Sequence, residues 1–153
     1  MTRATNHNPS EFTLVIERIL DAPLERVWQA WTDKAQIMQW LSPKGFHVRE
    51  HKGSIAPGEN YREIMVSPEG EDSIFYGEYL EMTAPQKLVF THIWENDTCG
   101  LPEIRTVCTV LLKEVEGGKT KMTFTQEGLV SGDSRDSHNG GWSECFDKLN
   151  IYL

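Results

Sequence analysis

The sequence predicts an α+β fold in which a curved antiparallel sheet wraps around one long C-terminal helix. Apolar residues recur at three- and four-residue steps from Ser134 to Leu153, which is typical of an amphipathic helix. Between Gly45 and Glu127 the apolar pattern instead repeats every second residue, which indicates strands. Short turns interrupt that second region, and strands joined by short turns pair in antiparallel fashion.

One strand and two short helices are predicted before this region. Phe12 to Leu20 is rich in residues that favour strands, and it ends at Asp21-Ala22-Pro23, where proline suits the first turn of a helix. Apolar residues between Leu24 and Trp31 predict a helix of about two turns. Thr32-Asp33 then caps a second short helix, which stops at Ser42-Pro43-Lys44-Gly45.

Six strands are predicted between Gly45 and Glu127, separated by turns that contain proline or glycine. A longer loop, Glu95 to Leu101, follows the fourth of them, and Glu116-Gly117-Gly118 is a hairpin turn before the last. The predicted strands are Phe46 to Lys52, Asn60 to Val66, Ser73 to Met82, Lys87 to Trp94, Glu103 to Glu114 and Thr120 to Glu127.

The C-terminal helix carries N-cap chemistry at Ser131 and a glycine pair, Gly140-Gly141, directly before Trp142. Two glycines inside a helix cost about 2 kcal/mol relative to alanine. We therefore expect another backbone to approach the helix closely there, or a ligand to use the space beside the indole. A kink at the pair would set the shape of a pocket.

The predicted order is β-α-α-β6-α. One face of the sheet must be covered, and only the C-terminal helix is long enough, since at 1.5 Å per residue it spans about 30 Å. This arrangement is a helix-grip fold, with a pocket between sheet and helix. Residues 12–153 are predicted to form this single domain, and residues 1–11 a flexible N-terminus without a signal peptide.

Composition excludes several classes of partner. A net charge of −8 disfavours nucleic acid and anionic membranes, which bind clustered Lys and Arg, and no apolar run is long enough to span a membrane.

The three cysteines are odd in number and widely spaced, which fits neither a disulfide framework nor a zinc site and indicates a cytoplasmic protein. His47 and His51 lie about 13 Å apart along a strand, too far to share a metal ion. We predict no metal site and no cofactor.

Three blocks of the chain resemble one known family. The opening block is Ala22-Pro23, Val27-Trp28, Trp31-Thr32-Asp33 and Trp40; the central block is Gly77 to Glu81, Pro85 and Lys87 to Thr91; the closing block is Gly118-Lys119-Thr120, Gly141-Trp142 and Leu149. In this order and spacing they resemble the SRPBCC (START/Bet v 1-like) superfamily. More narrowly, they resemble its branch named after the C-terminal domain of the activator of the heat-shock-protein-90 ATPase. The resemblance covers about Phe12 to Leu153.

The resemblance implies a deep, largely apolar cavity between sheet and helix. It also implies a range of functions, from lipid binding to cyclisation, hydrolysis and co-chaperone action, so the fold alone does not decide among them. Because an aromatic-rich helix faces the predicted sheet, we predict that the protein binds a small hydrophobic or aromatic molecule in this cavity. Binding without catalysis is the preferred interpretation.

Strand parity and helix periodicity predict which residues surround the ligand. In the predicted strand from Lys87 to Trp94, alternate residues share one face of the sheet. The same holds for alternate residues of the last predicted strand, Thr120 to Glu127. The apolar face of the C-terminal helix would lie opposite these two sets of residues. The predicted ligand-binding residues are Trp40, Phe46, Phe90, His92, Trp94, Phe124, His138, Trp142 and Phe146. Simple core packing is the alternative for most of them.

Two other functions stay open at this point. A co-chaperone-like interaction module would bind a chaperone or associate with itself. A polyketide cyclase-like or hydrolase-like enzyme would need polar groups that converge in the cavity, for which His92, His138 and an inward-pointing Arg62 are the candidates. Arg62 and Glu63 fall on opposite faces of their strand, so one of them can point inward, and an inward Arg62 would suit a carboxylate ligand.

Overall fold

The computed structural model describes residues 12–95 and 104–153. Ten elements follow one another along the chain. They are β1 (Leu14–Leu20), α1 (Leu24–Thr32), α2 (Lys34–Trp40), β2 (His47–Lys52), β3 (Asn60–Val66), β4 (Asp72–Thr83), β5 (Lys87–Trp94), β6 (Thr106–Val115), β7 (Lys119–Glu127) and α3 (Gly132–Tyr152).

All seven strands form one antiparallel sheet in the order β1-β7-β6-β5-β4-β3-β2. The sequential strands β2 to β7 pair as a meander, and β1 closes the far edge against β7, with Leu14 opposite Gln126. Register shifts occur in β2 between Val48 and Glu50 and in β4 between Tyr79 and Glu81. Such bulges increase the local twist and bend a strand, as a curved sheet requires.

Local chemistry fixes the helix ends. Pro23 is the N-cap of α1, and the Asp33 carboxylate accepts a hydrogen bond from the Gln36 backbone N–H at the start of α2. At the start of α3, the Ser131 hydroxyl accepts one from the Ser134 backbone N–H over 3.0 Å. The Asp33 and Ser131 caps each satisfy a backbone donor that has no partner inside its helix, whereas Pro23 makes no side-chain cap hydrogen bond.

The three helices cover one face of the sheet. α1 packs against β6 and β7, while α2 lies against β2 and α3. An ion pair of 2.7 Å between Arg18 and Asp147 joins α3 to the β1 edge. The core is centred on the fully buried Trp31, whose indole meets the Trp40 ring edge-on at 4.7 Å between centroids. Aromatic pairs in this geometry stabilise a core beyond the area that they bury.

The predicted helix-grip fold is confirmed. The clearest differences from the prediction are at the ends of helices and strands. α3 begins two residues before the predicted Ser134, and β6 begins at Thr106 rather than at the predicted Glu103. Predicted residues 1–11 and most of the predicted loop Glu95 to Leu101 lie outside the described residues, as do Cys99 and Glu103. Cys108 and Cys145 are buried and unpaired. Within the described ranges, no helix has the length and apolar character that crossing a membrane demands.

The expectation of a close backbone approach at the glycine pair is wrong. α3 runs without a break from Gly132 to Tyr152. A methyl group added at Gly140 would meet no atom within 4 Å, and one added at Gly141 would only touch the Pro43 side chain at 4.0 Å. Gly140 faces solvent, whereas Gly141 borders the cavity described below. The second expectation, open space beside Trp142, is what the structure shows.

Candidate functional site

A cavity of about 280 Å³ lies between α3 and the inner face of the sheet. β3, β4 and β5 form its floor, α3 forms one wall, and the loop between α2 and β2 forms the mouth. Its lining residues are Leu41, Pro43, Phe46, Met65, Ser73, Phe75, His92, Trp94, Ser137, His138, Gly141, Trp142 and Cys145. The lining is mainly apolar and aromatic, with a few polar atoms, as is usual for small-molecule sites.

Two tryptophans in the wall have their polar N–H groups already occupied. The Trp94 indole donates to Nε2 of His138 over 2.9 Å, and the Trp142 indole donates to the buried Gln126 side-chain oxygen, also over 2.9 Å. The Gln126 amide in turn donates to the Thr106 hydroxyl. These bonds hold both rings in place, so the wall is preformed and presents aromatic surface to the cavity.

The hydrogen bonds of His138 show which of its ring nitrogens donates and which accepts. Its Nδ1 lies 2.7 Å from the Ser134 backbone oxygen, which can only accept a hydrogen bond, so Nδ1 carries the proton. Nε2 is therefore the unprotonated nitrogen that accepts from Trp94. Both nitrogens are engaged, and His138 cannot take a proton from a ligand without losing the bond to Trp94.

His92 is the most deeply buried polar residue of the lining. It is 2% exposed, and its ring stacks on Phe75 with 4.3 Å between centroids. Burial, with a smaller effect of His138, lowers its pKa to about 3, so the imidazole is neutral. Its Nδ1 has no hydrogen-bond partner among the residues that the structure describes. A polar ligand group is one way to satisfy an unpartnered, buried nitrogen.

The cavity carries no charge on its described lining. Ser73, Ser137 and the two histidines are its neutral polar members, and none of the lining residues is Asp, Glu, Lys or Arg. Burial raises the pKa of the Cys145 thiol, which is therefore protonated and unreactive as a nucleophile. An ionised ligand would lose its hydration here without gaining an opposite charge.

The loop at the mouth is fastened to α3 by two side chains. The Lys148 ammonium donates to the Ser42 hydroxyl at 2.8 Å and lies within 3.3 Å of the backbone oxygens of Ser42, Pro43 and Phe46. The Glu144 carboxylate accepts from the Lys44 backbone N–H. Partial burial lowers the pKa of Lys148. Since Pro43 and Phe46 line the cavity, this clamp sets the width of its mouth.

Five of the nine predicted ligand-binding residues line the cavity, and four do not. Those that line it are Phe46, His92, Trp94, His138 and Trp142. The other four are Trp40, Phe90, Phe124 and Phe146, which are buried and surround the Trp31 ring at centroid distances of 4.7 to 6.4 Å. They form an aromatic core beside the cavity.

The packing of α1 explains why some of the predicted residues line the cavity and others lie in the core. Phe90 and His92 share the inner face of β5, as parity predicts, but Trp31 of α1 covers only the part of the face near Phe90. Likewise Trp142 borders the cavity, whereas Phe146, one turn later in α3, packs on Trp31. Periodicity identifies a face, but only tertiary packing decides which part of that face is covered.

Sequence reasoning missed the contribution of β3 and β4 and, apart from Phe46, that of the α2–β2 loop. The lining residues not predicted there are Leu41, Pro43, Met65, Ser73 and Phe75, together with Ser137 of α3. Alternation in β4 was an available signal, because Ser73 and Phe75 share one face. Nothing local, however, indicates that the loop folds back over α3.

The hypothesis of an inward Arg62 is wrong. Arg62 points to the outer face of the sheet and forms two hydrogen bonds of 2.9 Å with Glu95. There it lines an open groove of about 650 Å³, larger than the cavity but shallow, and its guanidinium is already paired. The inward residue is Glu63, which is fully buried.

Glu63 pairs with His51 inside the core. Its Oε1 lies 3.2 Å from Nδ1 of His51, directly across from it in the β2–β3 ladder, and both side chains are inaccessible to solvent. Burial raises the pKa of Glu63 well above its ordinary value and lowers that of His51 to about 4, the latter with a smaller effect of Lys34. The pair is therefore an uncharged hydrogen bond. Across the described ranges, no three His, Cys, Asp or Glu side chains group as metal ligands would.

Comparisons with known proteins agree with this architecture. The family model described as Activator of Hsp90 ATPase homolog 1-like protein matches residues 21–153. A search of curated proteins finds no match to the chain. Among solved structures, the chain is similar to protein CV1439 from Chromobacterium violaceum, at 27% identity and a TM-score of 0.79, over 91% of this chain and 94% of that one.

Two further structures share the fold. The AHSA1 protein from Silicibacter pomeroyi is 22% identical, with a TM-score of 0.81 over 91% of this chain and 95% of that one. CalU16 from Micromonospora echinospora is 24% identical, with a TM-score of 0.68 over 92% of this chain and 74% of that one. With the family match over most of the chain, the resemblance to the SRPBCC superfamily is confirmed, and the protein belongs to the Activator of Hsp90 ATPase homolog 1-like family.

Proposed function

We propose that the protein binds a small, uncharged hydrophobic or aromatic molecule in the cavity between α3 and the sheet. The observation that carries this proposal is the cavity itself: about 280 Å³, walled by Trp94, Trp142 and Phe75 and without Asp, Glu, Lys or Arg on its described lining. Its volume is at the lower end of the range for ligand pockets, which favours a compact ligand of one or two rings.

Gly141 gives further support. A glycine costs about 1 kcal/mol relative to alanine in a helix interior, and no backbone approaches Gly141 in a way that requires its lack of a side chain. The space that it leaves opens into the cavity beside Trp142. The cost is accounted for if that space is used by a ligand.

The glycine pair offers a matched test. Gly141→Leu places a side chain in the cavity, whereas Gly140→Leu places the same side chain in solvent with the same gain in helix propensity. Binding of the uncharged two-ring fluorescent probe 1-naphthylamine is followed by its emission and by quenching of tryptophan fluorescence. We expect Gly141→Leu to weaken binding about eightfold, since displacing some four ligand atoms at roughly 0.3 kcal/mol each has that effect.

Gly140→Leu is expected to bind the probe as the unchanged protein does, and both variants are expected to be as stable as it or more stable. Equal affinities for the two variants would show that the probe binds elsewhere. Absence of binding by the unchanged protein to this probe and to a panel of one- and two-ring compounds would refute the proposal.

Enzymatic action is the weaker candidate. Of the three residues available for it in the sequence, Arg62 faces outward and His138 has both nitrogens engaged, which leaves His92 alone. Co-chaperone action, with a chaperone or a second copy of the chain as partner, rests on the family relationship, and the described surface adds no observation to it. A cytoplasmic location belongs to the same proposal and is supported by the buried, unpaired Cys108 and Cys145.

A further inference from the structure

A second, smaller space lies beside the ligand cavity, toward the start of α3. It measures about 60 Å³, and three of its lining residues, His92, Trp94 and His138, also line the cavity. The described residues that line only the second space are Ile104, Thr106, Leu129, Val130 and Ser134. Ser134 precedes His138 by one turn of α3, and Thr106 lies directly opposite His92 in the β5–β6 ladder, so the two spaces are neighbours.

Three rings form the partition between the two spaces. The ring centroids of His92 and Trp94 are 5.1 Å apart, and the His138 ring lies 6.4 Å from the first and 6.3 Å from the second. The Trp94 indole joins the sheet to α3 by donating to Nε2 of His138 over 2.9 Å. His92 is buried, whereas Trp94 and His138 are half-buried. The hydrogen bond between Trp94 and His138 is therefore the part of the partition that packing holds least.

The second space favours hydrocarbon. Leucine, isoleucine and valine side chains supply most of its surface, and its described lining contains no Asp, Glu, Lys or Arg. The Thr106 hydroxyl is already engaged, since it donates to the His92 backbone oxygen over 2.6 Å and accepts from the Gln126 amide over 3.0 Å. A polar ligand group would gain little there in return for its lost hydration, whereas an alkyl group is stabilised by leaving water.

We propose that the ligand is an uncharged molecule with a two-ring aromatic part in the cavity and a short, unbranched alkyl tail in the second space. The tail passes between Trp94 and His138 when their hydrogen bond opens. This inference rests on the proposed function, because the aromatic part must first bind in the cavity.

The two volumes set the size of each part of the ligand. An apolar cavity of about 150 Å³ holds benzene, which has six carbon atoms. By that measure, the cavity of about 280 Å³ has room for roughly eleven carbon atoms, close to the ten of naphthalene, and the second space of about 60 Å³ has room for two or three. The tail must also cross the partition, so its expected length is about four carbon atoms.

Burial of the tail outweighs the loss of the hydrogen bond. Each methylene group that leaves water strengthens binding about fourfold, whereas the loss of one neutral hydrogen bond weakens it about two- to tenfold. Two buried methylene groups therefore offset the opening of the partition, and a third strengthens binding further. A ligand without a tail leaves the bond between Trp94 and His138 intact.

Fluorescent probes with tails of different length test the proposal. N-alkyl-1-naphthylamines and N-alkyl-2-naphthylamines are uncharged at neutral pH, and tails of one to six carbon atoms leave their two-ring part constant. The two isomers direct the tail from different positions of the ring system. In one of the two series, we expect the affinity to rise about tenfold between tails of one and of about four carbon atoms, and to rise no further with longer tails.

Two leucine substitutions separate the second space from general effects on the core. Leu129→Phe fills part of the second space, whereas the matched control, Leu112→Phe, introduces the same ring at a buried position of β6 that lines neither space. We expect Leu129→Phe to abolish the gain with tail length and to leave the affinity for the one-carbon probe unchanged. Leu112→Phe is expected to keep the gain. Val130→Trp, at an exposed position of the same lining, gives the same comparison if Leu129→Phe does not fold.

His138→Ala removes one side of the partition. Because no hydrogen bond must then open, we expect the affinity ratio of the four-carbon probe to the one-carbon probe to rise about two- to tenfold. The control Ser137→Ala changes an exposed neighbour in α3 that lines only the cavity, and the ratio is expected to stay the same.

The Trp94 indole N–H gives a direct signal in the unchanged protein. Its NMR resonance is expected to differ between the complexes with the four-carbon and the one-carbon probe, since only the longer tail breaks its hydrogen bond. The same resonance in both complexes would contradict the proposal. A gain with tail length that survives both Leu129→Phe and Val130→Trp would show that the tail leaves through the mouth of the cavity, and would overturn it. If neither series binds at all, the proposed function fails, whereas binding that does not depend on tail length refutes only this inference.

Discussion

Replacing His92 with phenylalanine is expected to make the protein less sensitive to acid. In the folded state the pKa of His92 is lowered from 6.5 to about 3 by burial. The unfolded chain therefore takes up a proton below about pH 6.5 that the folded chain refuses, and stability falls as the pH drops through this window. His92→Phe keeps an aromatic ring against Phe75 and Trp94 but removes the titrating group.

The size of the effect follows from the width of the window. One pKa unit corresponds to 1.36 kcal/mol, and about 2.5 units separate pH 6.5 from pH 4. The His92 contribution to the loss of stability between pH 7.5 and pH 4 is thus roughly 3 kcal/mol. His51 and Glu63 also have shifted pKa values, but they are present in both proteins and cancel in the comparison.

Urea denaturation at pH 7.5 and at pH 4, followed by circular dichroism, measures this difference. His47→Phe is the matched control, because His47 is exposed on β2 and the substitution is the same. Equal losses of stability on acidification in His92→Phe and in the unchanged protein would show that His92 is not held neutral by burial, and the account of the cavity as an uncharged space would fail with it.

Two further substitutions probe the sheet and the mouth of the cavity. Gly77→Ala is expected to destabilise the fold by about 3 kcal/mol or more, as overpacking of a core does, because the new methyl group would lie 2.1 Å from the Thr91 backbone oxygen; a lowered urea midpoint measures it, and a midpoint like that of the unchanged protein contradicts it. Lys148→Met leaves the acceptors of residues 42–46 without their donor and is expected to cost about 1 to 3 kcal/mol. Faster amide hydrogen exchange confined to that loop would support the clamp, and unchanged exchange would argue against it.

Much of the fold is predictable from the sequence because residues close in the chain determine where each helix and strand begins and ends. Proline and glycine turns end the strands, and side chains such as Asp33 and Ser131 cap the helices, so the order of elements needs no tertiary information. The pairing of β1 with β7 joins strands far apart in the chain, and no local signal in the sequence predicts it.

The site is less predictable because it depends on the register of the strands and on which part of the sheet face the helices cover. Alternation shows that Arg62 or Glu63 points inward but not which of them does. The decision depends on the alignment of β3 with β2, where His51 stands opposite Glu63, and the bulge between Val48 and Glu50 shifts that alignment by an amount that no turn signal reveals.

The place of β1 in the sheet has a consequence for synthesis of the protein. Leu14 pairs with Gln126, so β1 emerges from the ribosome more than a hundred residues before its partner strand exists. At about 5 to 20 residues per second, this delay lasts on the order of 5 to 20 seconds. During that time the apolar side chains of Leu14, Ile16 and Leu20 have no strand to pair with. The edge of the sheet is therefore completed late in translation, and until then the nascent β1 segment exposes an unpaired strand of the kind that other chains can pair with.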